Sequence, residues 1–210
     1  GVSTYIFANL LLNSSLQGTF SMVQIIPLIA VSFGGVMIAR KMGLKRTFLI
    51  GTWGSMIMLI IMFLVRPNPS APWIFLVCFL VQKCVASVGN ASVIPMIADC
   101  TDYENLRSGR FVPSMMGTLF SFVDKMISSF SSLIQGIALA AAGVGSVIIT
   151  PNEPVAGSFN TSIMICFCIV PIIGHIATVI AMHFYKLDHK KMEEVQQQLA
   201  ERKAMNAKEA

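Results

Sequence analysis

The chain alternates between long apolar runs and short polar connectors. A hydrocarbon core roughly 30 Å thick takes about 20 mostly apolar residues per crossing helix. Five runs meet that length, at 20–39, 47–65, 73–98, 114–142 and 161–185. The opening stretch, 1–12, is apolar but too short to cross. It lacks a basic n-region and a small-residue cleavage site, so it does not read as a signal peptide. It reads as the outer end of a helix that begins upstream. No run shows the ten-residue alternation of a membrane barrel, and backbone in lipid must satisfy its own hydrogen bonds. The pattern predicts an all-α integral membrane protein. Beyond the last run, 186–210 is polar, with Met192, Val195 and Leu199 at helical spacing behind Asp188 as an N-cap. That pattern predicts a tail helix resting on one face of the membrane.

Composition narrows the class. Of 210 residues, 55% are hydrophobic and only 12% charged, whereas soluble domains carry about 25% charged residues. Half the usual charge does not cover a soluble globule of this size. The net charge of +5 raises the question of nucleic acid, and the positions of the cations answer it. Arg40, Lys41, Lys45 and Arg46 follow the first run, Arg107 and Arg110 follow the third, and Lys186, Lys190, Lys191, Arg202, Lys203 and Lys208 follow the last. These 12 of the 15 basic residues fall on one side of the spans. Across the membrane stands Arg66 alone, in a proline-rich turn, and 143–158 holds no Lys or Arg. Short Lys- and Arg-rich loops face the cytoplasm. The basic balance is therefore topogenic, nucleic acid is not a partner, and the expected location is the cell membrane, multi-pass, with the carboxyl terminus cytoplasmic.

Two lysines lie inside the runs. A charge at mid-bilayer costs about 2.5–3.5 kcal/mol on insertion scales, and such residues usually face a bundle interior or an aqueous cavity. Lys125 belongs to a stripe of Thr118, Ser121, Lys125, Ser128, Ser132 and Gln135. At about 100° per residue these positions share an arc of roughly 100°. The opposite face carries Phe122, Met126, Phe130 and Leu133, and Asp124 borders the stripe. Small hydroxyl residues also serve plain helix packing, but a complete polar stripe with a lysine points to a cavity lining. Lys83 heads a shorter polar face with Gln82, Ser87 and Asn90. The five cysteines read as small apolar residues, His175 as structural and His183 as a boundary residue. No catalytic or metal-binding motif occurs, so neither an enzyme nor a cofactor is expected.

The stretch Met96-Ile97-Ala98-Asp99-Cys100-Thr101-Asp102-Tyr103-Glu104, continuing through Arg107-Ser108-Gly109-Arg110, resembles the loop between helices ten and eleven of the glycoside–pentoside–hexuronide:cation symporters. These are sugar carriers of the major facilitator superfamily. Met116-Gly117-Thr118-Leu119-Phe120-Ser121-Phe122-Val123-Asp124-Lys125 resembles their eleventh helix, lysine included, and Arg40-Lys41-Met42-Gly43-Leu44-Lys45-Arg46 resembles their basic turn between helices eight and nine. The ending Tyr185-Lys186-Leu187-Asp188 is similar as well. The resemblance runs the length of the chain and implies the carboxyl-terminal six-helix half, its first helix truncated. Residues 1–12 would be the end of helix seven, and 20–39, 47–65, 73–98, 114–142 and 161–185 helices eight to twelve.

It further implies alternating access around a midplane site, with a sugar and a sodium ion or proton as passengers and the amino-terminal half as partner. Lys125, Ser121 and Asn90 would line that site, joined on the residue pattern by Asp124, Lys83, Thr118 and Ser128. One member of that family carries an aromatic residue at the Asn90 position, so the same sugar class is not expected to carry over from it. Asp99, Asp102, Glu104, Arg107, Arg110, Arg40, Lys41, Lys45 and Arg46 would form gate charges on the cytoplasmic side. Two other readings share these helices: a facilitator for a non-sugar solute, and a non-transporting membrane scaffold or sensor.

Overall fold

The computed structural model describes residues 2–141 and 157–209. Among these there is no strand. Helix α1 (Val2–Tyr5) runs directly into a π-helical turn, Ile6–Leu10. Helix α2 (Ser15–Val23) is followed by α3 (Ile25–Met42), and the residue between them, Gln24, keeps helical dihedrals. The two therefore form one rod. Next come α4 (Leu44–Val65), α5 (Pro72–Asn90) and α6 (Val93–Ser108). After α7 (Pro113–Ala141), α8 (Gly157–Met164) continues through a second π turn, Ile165–Ile169, into α9 (Val170–Phe184). The chain closes with α10 (His189–Glu209). The basic-poor segment expected at 143–158 lies largely outside the described residues.

Single residues set the joints. Gly43 alone separates α3 from α4, at φ +86°, a conformation that costs a residue with a Cβ. The expected seven-residue basic turn is thus two helix ends around one glycine. Pro72 starts α5, where its missing N–H is no loss. At Ala91 and Ser92 the rod of α5 and α6 tightens. The Ser92 amide reaches back only three residues, to the Gly89 carbonyl at 3.0 Å, and Pro95 supplies no amide to the carbonyl of Ala91. The Asp99–Arg110 stretch, read from sequence as a loop, is helical as far as Ser108. Its charged residues are tolerable helix formers, the Thr101 hydroxyl donates to the Ile97 carbonyl at 3.1 Å, and the helix stops only where Gly109 takes a left-handed cap at φ +72°.

Helices α3, α4 and α5 pack closely, with α9 alongside α4. Small residues allow the approach: a Cβ on Gly51 would lie 2.5 Å from the Gly89 nitrogen, and one on Gly35 3.1 Å from the Val88 Cα. The main apolar core lies toward the Arg66 end. It joins Ile6, Phe7 and Leu10 of the first π turn to Met62, Phe75 and Phe79, and to Cys166 and Cys168 of the second. Phe20 stacks on Phe79 with centroids 5.1 Å apart, and Phe167 meets Phe79 edge-on at 5.3 Å.

Among the described residues, four helical segments are long and apolar enough to cross a membrane: Ser15–Met42, Leu44–Val65, Pro72–Ser108 and Asn160–Phe184. The 29-residue α7 is not among them. Its polar stripe with Asp124 and Lys125 lowers its mean hydropathy, so of the five crossing runs expected from sequence, four reach that threshold.

Candidate functional site

Helix α7 packs mainly on its chain neighbours α6 and α8. Thr118, Ser121, Lys125, Ser128 and Ser132 are all exposed, and so are Phe122, Met126, Phe130 and Leu133 opposite them. Both faces of the helix are bare. Two stripe hydroxyls turn back to the helix, Thr118 donating to the Ser114 carbonyl at 2.8 Å and Ser132 to that of Ser128 at 3.1 Å. That is the local bonding expected of packing hydroxyls. Ser121 and Ser128 make no such bond, and Asp124 and Lys125 are exposed without an ion pair.

The second polar face lies elsewhere. Helix α5 packs chiefly against α3 and α4. Ser87 is buried there and donates to the Cys84 carbonyl at 2.9 Å, while Asn90 and Lys83 are exposed. The Lys83 ammonium sits 5.2 Å from the centroid of the Phe79 ring, a cation–π contact worth about 0.5–1 kcal/mol at an exposed site. The structure therefore does not gather Lys125, Ser121, Asn90, Asp124, Lys83, Thr118 and Ser128 into one enclosed cavity. Phe79 and Lys83 stand four residues apart on α5, a spacing visible in the sequence, whereas Phe7, Phe20 and Phe167 join the cluster from distant parts of the chain.

Charges expected to form a gate are partly engaged within the chain. Asp102 accepts a hydrogen bond from Gln196 Nε2 at 2.7 Å, which ties α6 to α10. Around that tie, Met192, Val195 and Leu199 are buried against Tyr103, Leu106 and Leu187. The Asp188 carboxylate accepts the Lys191 amide at 3.0 Å and so caps α10. Lys45 donates to the main-chain carbonyl of Tyr185. Glu104 is half-buried, and Lys41, Arg46, Arg107 and Arg110 are exposed.

A cavity of about 690 Å³ opens at this basic end. Arg40 and Gly43 line it from the α3–α4 joint, Ala91, Pro95 and Asp99 from the α5–α6 rod, and His189 from the tail. Among the described residues no three His, Cys, Asp or Glu side chains group as a metal site.

Apolar helices of crossing length and an all-helical fold define a multi-pass membrane protein. Residues 1–189 match the family described as MFS/sugar transport protein, and the chain belongs to that family. The proteins that this family description names are transporters rather than enzymes. The chain is also 30% identical over 114 residues to a protein of Escherichia coli (strain K12) named "Putative glycoside/cation symporter YagG". That alignment covers 52% of this chain and 23% of the relative. No solved structure matches.

Proposed function

We propose that the chain forms the carboxyl-terminal half of a cation-coupled sugar symporter that works by alternating access. The sugar is of the glycoside, pentoside or hexuronide class, and the coupling ion is sodium or a proton. Family membership over 1–189 supports sugar transport, and the relative's name supports cation coupling. The basic end faces the cytoplasm by the positive-inside rule. The observation that carries the site assignment is the bare polar stripe of α7 with Lys125 on it. In a working carrier that face meets the amino-terminal half across an aqueous cavity, where an ammonium is tolerable. Ser121, one turn away, offers a hydroxyl to a sugar, and Lys125 balances acidic groups from the other half.

The test is cation-driven uptake by the full-length protein. Lys125→Met is expected to abolish coupled uptake while leaving the amount of protein in the membrane unchanged. Cation-stimulated uptake at the normal rate in that variant overturns the role. In a Ser121→Cys variant, reaction with a water-soluble thiol reagent, slowed by added sugar, supports a wet sugar-facing cavity. A sugar-insensitive cysteine that resists the reagent favours a dry scaffold, and protection by non-sugar solutes alone favours a different cargo.

A further inference from the structure

Two adjoining cavities flank the junction of α4 and α9, apart from the polar stripe. One, about 560 Å³, runs between the helices and is lined by Lys45, Leu49, Trp53, Val179, Ile180 and Phe184, with His183 at its rim. The other, about 460 Å³, adjoins it at Lys45 and Leu49 and adds Arg46 and Lys190. Lys45, Leu49 and Trp53 lie four residues apart on one helix face, so the groove continues at least 12 Å below the cations at 1.5 Å per residue. Its walls are apolar and open sideways, where lipid surrounds the spans. Its head is cationic.

The cations there lack acidic partners. The ion pairs among the described residues are His189 with Glu193 and Lys191 with Glu194. Lys45 is held by the Tyr185 carbonyl, which uses one of its three N–H groups. Asp188, the one carboxylate lining the head, caps α10 through one oxygen, and Lys45, Arg46 and Lys190 outnumber it there. Three cations above an apolar slot, Lys45 held in place and Arg46 and Lys190 exposed beside it, complement one amphiphile: a phosphate head with an acyl chain beneath it. We propose that this groove binds an anionic phospholipid, its phosphate among Lys45, Arg46 and Lys190 and one acyl chain along Leu49, Trp53, Val179 and Ile180. Basic pockets between membrane helices bind anionic headgroups in this way. The site requires only that this end of the helices meets the membrane boundary, and it does not depend on what the carrier transports.

The test is native mass spectrometry of the full-length protein released from nanodiscs holding equal phosphatidylglycerol and phosphatidylcholine. The wild type is expected to retain phosphatidylglycerol about tenfold in preference to phosphatidylcholine, and K45Q/R46Q/K190Q to lose that preference. K186Q/K191Q/K203Q removes as many cations from outside the groove and is expected to keep the preference. K45R/R46K/K190R keeps the charge and is expected to keep it too, which separates loss of the site from loss of the fold. Equal retention of the two lipids by wild type, or equal loss in both triple-glutamine variants, overturns the proposal. Displacement of the retained lipid by millimolar inorganic phosphate also overturns it, because the site would then take the free anion.

Discussion

The approach of α4 to α5 makes a sharp prediction from glycine substitutions. An added Cβ at Gly51 falls 2.5 Å from the Gly89 nitrogen and 2.6 Å from its Cα. Ordinary carbon contacts lie at about 3.5–4.0 Å, so the helices must part by about 1 Å. Both opposing atoms are main chain, and neither can turn aside. Overpacking of this kind costs about 1–3 kcal/mol, against roughly 1 kcal/mol gained in helix propensity. At Gly54 the added atom meets the Val85 Cγ1 at 2.5 Å, the end of a side chain that can change rotamer for about 0.5–1.5 kcal/mol. At Gly18 nothing lies within 4 Å, and Ala there keeps the propensity gain. Thermal unfolding of the full-length protein in detergent, followed by a thiol-reactive dye that reports exposure of Cys166 and Cys168, ranks the variants. Gly51→Ala is expected to melt lowest, Gly54→Ala near wild type and Gly18→Ala at or above it. If Gly51→Ala melts with Gly18→Ala, α4 and α5 do not approach as closely as described.

Other expectations concern the joints and the tail. Val195 is 2% exposed, so Val195→Asp buries an unpaired charge and is expected to undock α10; limited proteolysis within 189–209 should quicken at least about tenfold, while Lys203→Asp should leave it unchanged. Gly43→Ala combines a left-handed penalty of about 1–2 kcal/mol with a Cβ 2.8 Å from that of His189. Adding His189→Gly is expected to recover part of the lost melting temperature but not all. Lys83→Met is expected to cost about 0.5–1 kcal/mol through the lost contact with Phe79, seen as a small drop in melting midpoint.

What could be read from the sequence was what repeats along it. Apolar runs of bilayer length and a one-sided charge distribution need no tertiary knowledge, and the stripe around Lys125 follows from helical period alone. Contacts between distant segments left no such trace. The pairing of Gly51 with Gly89 and the stack of Phe20 on Phe79 depend on how separate helices lie against each other. The stretch after Ala98 reads as a connector by its charges, yet Asp102 through Ser108 contains no residue that ends a helix before Gly109. The basic groove leaves no trace in the sequence for a related reason. Lys45 and Lys190 stand 145 positions apart and meet only once α10 folds back.

The tightened turn at Ala91 and Ser92 divides a long rod into two arms of unequal stiffness. The first arm is clamped near its end, where Gly89 abuts Gly51. The second carries a load, because α10 is clasped to it through Tyr103, Leu106 and the Gln196–Asp102 bond. A joint short of one hydrogen bond is the point where a load on the second arm would bend the rod. A tilt of α6 there would carry α10 with it, since the two are held together, and so would alter the room beside the α3–α4 joint. The 690 Å³ cavity touches the joint at Ala91 and Pro95 and the tail at His189 and Met192. Its volume therefore depends on the angle at which the two arms meet.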